Sequence, residues 1–108
     1  MDKFATINKS NWRDFLNSKI CFVTFARSDC KQCEIFESEV LESDIWGSIA
    51  MGKVFLDIPG LAEFKMEYPW ISHIDILPFN VIFSKGEPVE SWSGRDIEVL
   101  KKRLEREP

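Results

Sequence analysis

The sequence lacks the features that mark several large classes of protein. Basic residues do not predominate: the formal net charge is −4, so binding driven by contacts to nucleic-acid phosphates is not expected. No apolar run approaches the roughly 20 residues that a membrane-spanning helix requires, and no membrane partner is expected either. The start, Met1-Asp2-Lys3-Phe4-Ala5-Thr6, is without the basic opening and long apolar centre of a secretion signal. That points to a reducing, cytoplasmic setting, where paired cysteines serve catalysis or metal binding more often than structure. Repeats, linkers and low-complexity tracts are missing, so residues 1–108 read as one domain. What is present suits a soluble globular chain: 108 residues, 44% of them hydrophobic and 30% charged, enough to bury a core without staples.

The chain is organised around Ser28-Asp29-Cys30-Lys31-Gln32-Cys33-Glu34. An apolar run, Ile20 to Phe25, precedes it, and a helix-like segment from Ile35 to about Glu42 follows. Two thiols three positions apart at a strand-to-helix junction are placed to exchange a disulfide. The unpaired N–H groups and positive dipole end of a helix favour a thiolate there. Asp29 and Gln32 are spaced like a capping box, which predicts a helix beginning at Cys30. In that helix Cys33, Phe36, Val40 and Leu41 share a stripe suited to burial, and Glu34, Glu37, Glu39 and Glu42 fall on positions suited to solvent.

The remaining elements follow from periodicity and turn signals. Lys3 to Ile7 alternates like a short strand. Ser10 offers a helix cap, with Trp12, Phe15 and Leu16 on one helical face. Ile20 to Phe25 has the β-branched and aromatic content of a central strand covered on both faces. Val54 to Ile58 reads as a second buried strand, stopped by Pro59-Gly60, and Leu61 to Tyr68 as a weak helix. Tyr68 to Ile76 is an apolar, aromatic connection with no regular pattern. Asn80 to Ser84 is a strand, Lys85-Gly86-Glu87 a hairpin turn, and Val89 to Trp92 an outer strand. A last helix spans Asp96 to Glu105, with Ile97, Leu100 and Leu104 on one face and cations late, where the dipole favours them. The order is β-α-β-α-β-α-β-β-α.

That order, with Cys30-Lys31-Gln32-Cys33 after the second strand, Leu77-Pro78-Phe79 before the hairpin and the run Phe83 to Val89 through its turn, resembles the thioredoxin family. Lys53 and Asp57 also sit where that family places such residues. The resemblance covers nearly the whole chain. It implies an α/β thioredoxin fold, a central mixed sheet flanked by helices, with a cis peptide bond between Leu77 and Pro78 before the third core strand. It implies a disulfide reductase in which Cys30 attacks and Cys33 resolves, leaving a Cys30–Cys33 disulfide. Leu77 and Pro78 would carry an extended substrate segment, and Asp29, Lys31 and Gln32 would tune the pair. Disulfide-containing proteins are the implied substrates and a thiol or flavoprotein reductase the implied electron donor, with no metal and no bound cofactor. The chain departs from the family's usual Trp-Cys-Gly-Pro-Cys at Asp29, Lys31 and Gln32. The aspartate that the family buries behind its second cysteine falls at Thr24, and the threonine after its cis proline is Phe79. The segment from Asp57 to Pro78 is longer than in plain thioredoxins, so a specialised member with its own partners is expected.

Other readings stay open at this point. A zinc site would need two further ligands from Cys21, His73 and carboxylates. Cys21 precedes Cys30 by a strand length of roughly 25–30 Å, which argues against it, and Cys21 reads as a small buried residue. His73 reads as an ordinary surface or partly packed histidine. Trp70, with Tyr68, Pro69 and Ile71, is either a core plug or an apolar grip on a partner. The chain as a whole is alternatively a binding module whose cysteines do not turn over, or an oxidase or isomerase on the same fold.

Overall fold

The structure, a computed structural model, describes residues 4–43 and 49–106. Its frame is a five-stranded mixed sheet in the order β1-β3-β2-β4-β5. Strand β2 (Cys21–Ala26) lies at the centre, parallel to β3 (Ala50–Phe55) and antiparallel to β4 (Phe79–Ser84). The short β1 (Phe4–Thr6) runs parallel to β3 on one edge, and β5 (Glu87–Ser93) runs antiparallel to β4 on the other. All six residues of β2 are buried, as a run with so little polar content requires. Of the first expected strand, Lys3 lies outside the described residues.

Alternation along the strands divides the core into two layers. Cys21, Val23 and Phe25 face α1 (Trp12–Leu16) and α3 (Ala62–Glu67), packing with Trp12, Leu16 and Phe64. Phe22 faces the other way, onto Phe36 and Val40 of α2 (Lys31–Glu42) and Leu100 of α4 (Ile97–Glu105). The expected stripe of α2 is therefore real. Asp96 caps α4, its carboxylate accepting the N–H of Glu98 at 2.9 Å.

The connection from Tyr68 to Ile76, which had no regular pattern in sequence, contains a 3-10 helix over Pro69–His73. Pro69 opens it, where a missing N–H is harmless. The Trp70 ring lies 5.7, 6.1 and 6.4 Å from the rings of Phe25, Phe79 and Phe83. Tyr68 donates its hydroxyl to the Gly86 carbonyl at 2.6 Å. These aromatics plug the core and tie this connection to the hairpin. That hairpin turns on Lys85 and Gly86, both at positive φ (53° and 85°), the backbone of a two-residue turn matched to strand twist. In β5 a register shift sets Val89 out of the ladder as a bulge opposite Ile82 and Phe83.

Most strands lie within a residue or two of their expected bounds, and β3 departs furthest. Strand β3 begins at Ala50 and ends at Phe55, whereas the apolar pattern suggested Val54 to Ile58. Gly52 conceals the true start, because it contributes no side chain to the pattern. Its place in the strand has a packing reason: a Cβ there would lie 2.7 Å from Ile7 Cδ1 and 2.8 Å from the Phe15 ring. Both contacts are side-chain ends, Ile7 fully buried and Phe15 partly so, so at least one of them must shift to admit a Cβ. Gly52→Ala is expected to cost about 1–3 kcal/mol through overpacking, read as a lower urea midpoint at unchanged slope. An unaltered midpoint would show that the Ile7 and Phe15 side chains give way freely.

Candidate active site

Strand β2 ends at Ala26, and the loop Arg27-Ser28-Asp29 carries the chain to Cys30 at the mouth of α2. Cys30 has an extended backbone and is the N-cap itself, its Sγ accepting the N–H of Cys33 at 3.2 Å. The two residues are joined in a disulfide, with Cα atoms 5.3 Å apart. Cys30 is half-buried and Cys33 buried, so the first cysteine is the more exposed residue, as expected.

The cap corrects the sequence reading. Asp29 and Gln32 form no capping box; helix α2 begins at Lys31, one residue later than expected, and its cap is the Cys30 sulfur, which accepts the Cys33 N–H. The Asp29 carboxylate instead lies 3.7 Å from the Arg27 guanidinium, with both side chains exposed, a pairing worth little in water. Lys31 and Gln32 are exposed on the first turn.

The other expected residues arrive from β4. The Leu77–Pro78 bond is cis. Phe79 pairs with Phe25 on the last rung of the β2–β4 ladder, so Pro78 stands just past that rung, at the end of β2 from which the chain leaves for Cys30. Pro78 is buried and its carbonyl accepts the Gly94 N–H at 2.8 Å. Among the described residues, the Leu77 backbone makes no hydrogen bond within the chain.

Beside the disulfide lies a cleft of about 330 Å³, walled by Thr24, Cys33, Glu37 and Lys53. Thr24 is a rung partner of Lys53 on one side and Asn80 on the other. Its hydroxyl donates to Asn80 Oδ1 at 2.9 Å, and Asn80 Nδ2 donates to the Gly94 carbonyl at 2.8 Å. These two buried polar side chains are thus satisfied within the sheet. Lys53 Nζ donates to both carboxylate oxygens of Glu37 at 3.2 Å, with side chains 19% and 23% exposed. Glu37 was expected on the solvated face; it is half-buried because Lys53 reaches it across the cleft.

At the rim, Ser28 donates its backbone N–H to Asp57 Oδ1 at 3.1 Å and its hydroxyl to Asp57 Oδ2. The hydroxyl is the main reason that the Asp57 carboxyl titrates below the ordinary carboxylate value, helped by the Ser28 N–H and the nearby Arg27 charge. Cys21 lies on the opposite face of β2, and burial pushes its thiol up to about 12. His73 is exposed and lines no part of the cleft. Among the described residues, no cluster of three or more His, Cys, Asp or Glu side chains is arranged to hold a metal.

Glu37, Asn80 and Ser28 were not singled out in sequence. Thr24 and Asn80 did leave a signal, each a lone uncharged polar residue in an apolar strand run. Glu37 left the helical spacing that sets it one turn after Cys33.

No protein-family profile and no curated protein sequence matches the chain. Solved structures do. Thioredoxin f2 of Chlamydomonas reinhardtii superposes with a TM-score of 0.77 at 15% identity, over 95% of this chain and 94% of that one. A thioredoxin of Nicotiana alata gives 0.77 at 18%, over 98% and 93%. Thioredoxin O2 of Arabidopsis thaliana, in its oxidised state, gives 0.74 at 20%, over 96% and 93%. The chain therefore has the thioredoxin fold.

The Asp57 shift has a consequence for acid stability. A carboxyl that titrates lower folded than unfolded contributes stability that is complete above its unfolded-state value. That stability is lost as pH falls through the folded value. Ser28→Ala removes the principal donor, so urea unfolding from neutral into acid should show a smaller loss in the variant. The Asp57 carboxyl, followed by NMR, should titrate higher. Equal titration in both proteins would remove the hydroxyl as the cause.

Proposed function

We propose that the chain is a thiol–disulfide oxidoreductase that reduces protein or small disulfides through Cys30 and Cys33. One observation carries the reading: the pair closes a disulfide at the N-terminus of α2, with the outer sulfur on a helix N–H. The same N–H and the helix dipole favour a thiolate at Cys30 once the bond is reduced. The fold likeness supports the reading at the level of scaffold.

In the forward step the Cys30 thiolate attacks one sulfur of the substrate disulfide, and the other sulfur leaves as a thiolate. Cys33 then attacks Cys30, closing the internal disulfide and expelling the second substrate thiolate. Two electrons pass from the dithiol to the substrate. An external thiol or a flavoprotein reductase returns them, in a cytoplasmic setting where such donors are maintained. The sulfur pair is the whole redox group, so the reading requires no bound cofactor. An extended substrate segment would lie along Leu77 and Pro78, using the Leu77 N–H and carbonyl. Asp29 and Lys31, opposite charges flanking Cys30, and Gln32 on the same turn would set the pair's reactivity.

The test is dithiothreitol-driven reduction of insulin, comparing this protein with Cys30→Ser. Acceleration that vanishes in the variant is the expected result. Acceleration unchanged in Cys30→Ser would remove Cys30 from the chemistry, and none from either form would exclude a general reductase.

A further inference from the structure

Resolution of a mixed disulfide needs a thiolate at Cys33, since the thiol is a poor nucleophile. Cys33 is buried, and burial disfavours the charged thiolate, so a base within reach would speed the step. Six groups that bear charge or exchange protons line the cleft: Arg27, Cys30, Cys33, Glu34, Glu37 and Lys53. A guanidinium accepts no proton. Lys53 is engaged as a donor to Glu37. The Thr24 hydroxyl, on the sheet wall, is engaged as a donor to Asn80. Of the two carboxylates, Glu34 is exposed and adjoins Cys33 in sequence, where successive side chains diverge around a helix. Glu37 is one turn after Cys33 on the same face, half-buried, and held at the cleft by both of its oxygens.

We infer that Glu37, positioned by Lys53, accepts the Cys33 proton during resolution, an inference that rests on the exchange reading above. The cleft volume of about 330 Å³ has room for several waters at about 30 Å³ each, so the proton can cross by a water relay. The step balances. The Cys33 S–H bond breaks and its proton ends on the Glu37 carboxylate, while the sulfur lone pair forms the Cys33–Cys30 bond. The Cys30–substrate bond breaks, and the departing thiolate takes a proton from Glu37 or solvent.

The experiment mixes the reduced protein with a symmetrical aromatic disulfide whose released thiol is coloured. The first release reads attack by Cys30 and the second reads resolution by Cys33. In Glu37→Gln the first phase should be unchanged, and the second should slow by roughly 100-fold at neutral pH. It should then climb about tenfold per pH unit as thiolate forms without a base. Glu37→Asp should recover most of the second phase, which a merely structural loss would not do. A second phase in Glu37→Gln with the wild-type rate and pH profile overturns the inference. The wild type decides as well: a second phase level across neutral pH is expected, and one that climbs about tenfold per unit there overturns it. A wild type with no Cys30-dependent first phase overturns the exchange reading itself, and this inference with it.

Discussion

Everything at the reactive end hangs on the burial of β2. Both of its edges are paired, to β3 and β4, and both of its faces are covered. A strand in that position tolerates a polar side chain only with a partner, since an unsatisfied buried group costs about 1–3 kcal/mol. Thr24 meets the condition through Asn80, which in turn is satisfied by the Gly94 carbonyl. Strand β2 behind the disulfide is therefore polar but uncharged. Because β2 is held so firmly, its exit and the cap of α2 are held too, and Cys30 is delivered to one place.

The carboxylate beside the disulfide stands on the helix and its cation on the sheet. An ionised carboxylate on β2 would need a buried cation beside it. Here the cation, Lys53, comes from the neighbouring strand, and the carboxylate comes from α2 at Glu37. The pair keeps about a fifth of each side chain in contact with solvent, which lowers the desolvation penalty. A carboxylate on the same helix as the cysteines also moves with them.

Strong periodicity made most of the fold legible. The two buried faces of β2, the stripe of α2 through Phe36 and Val40, and the hairpin at Lys85-Gly86 were all readable, because each rests on local pattern. The cysteine pair was readable for the same reason. What escaped depended on contacts distant in sequence. Gly52 hid the start of β3 because its role is to make room for Ile7 and Phe15. Glu37 looked like any exposed glutamate until Lys53 was brought opposite it. The capping box at Asp29 and Gln32 failed because the helix starts one residue later, at Lys31, with Cys30 as its cap and the Cys33 N–H as the capped donor. Trp70 was ambiguous in sequence because only the packed rings of Phe25, Phe79 and Phe83 decide where it goes.

The bulge at Val89 bears on how these molecules behave in a crowd. An open sheet has two outer strands whose unpaired backbone groups can recruit a strand from a neighbour. Here β1 is three residues long. On the other side, β5 carries Pro88, which offers no N–H, next to a bulge that breaks its regular repeat. Among the described residues, neither edge presents a long, flat ladder to copy. Resistance to intermolecular strand addition is thus written into backbone geometry at both rims, so it should persist at salt concentrations that would screen surface charge.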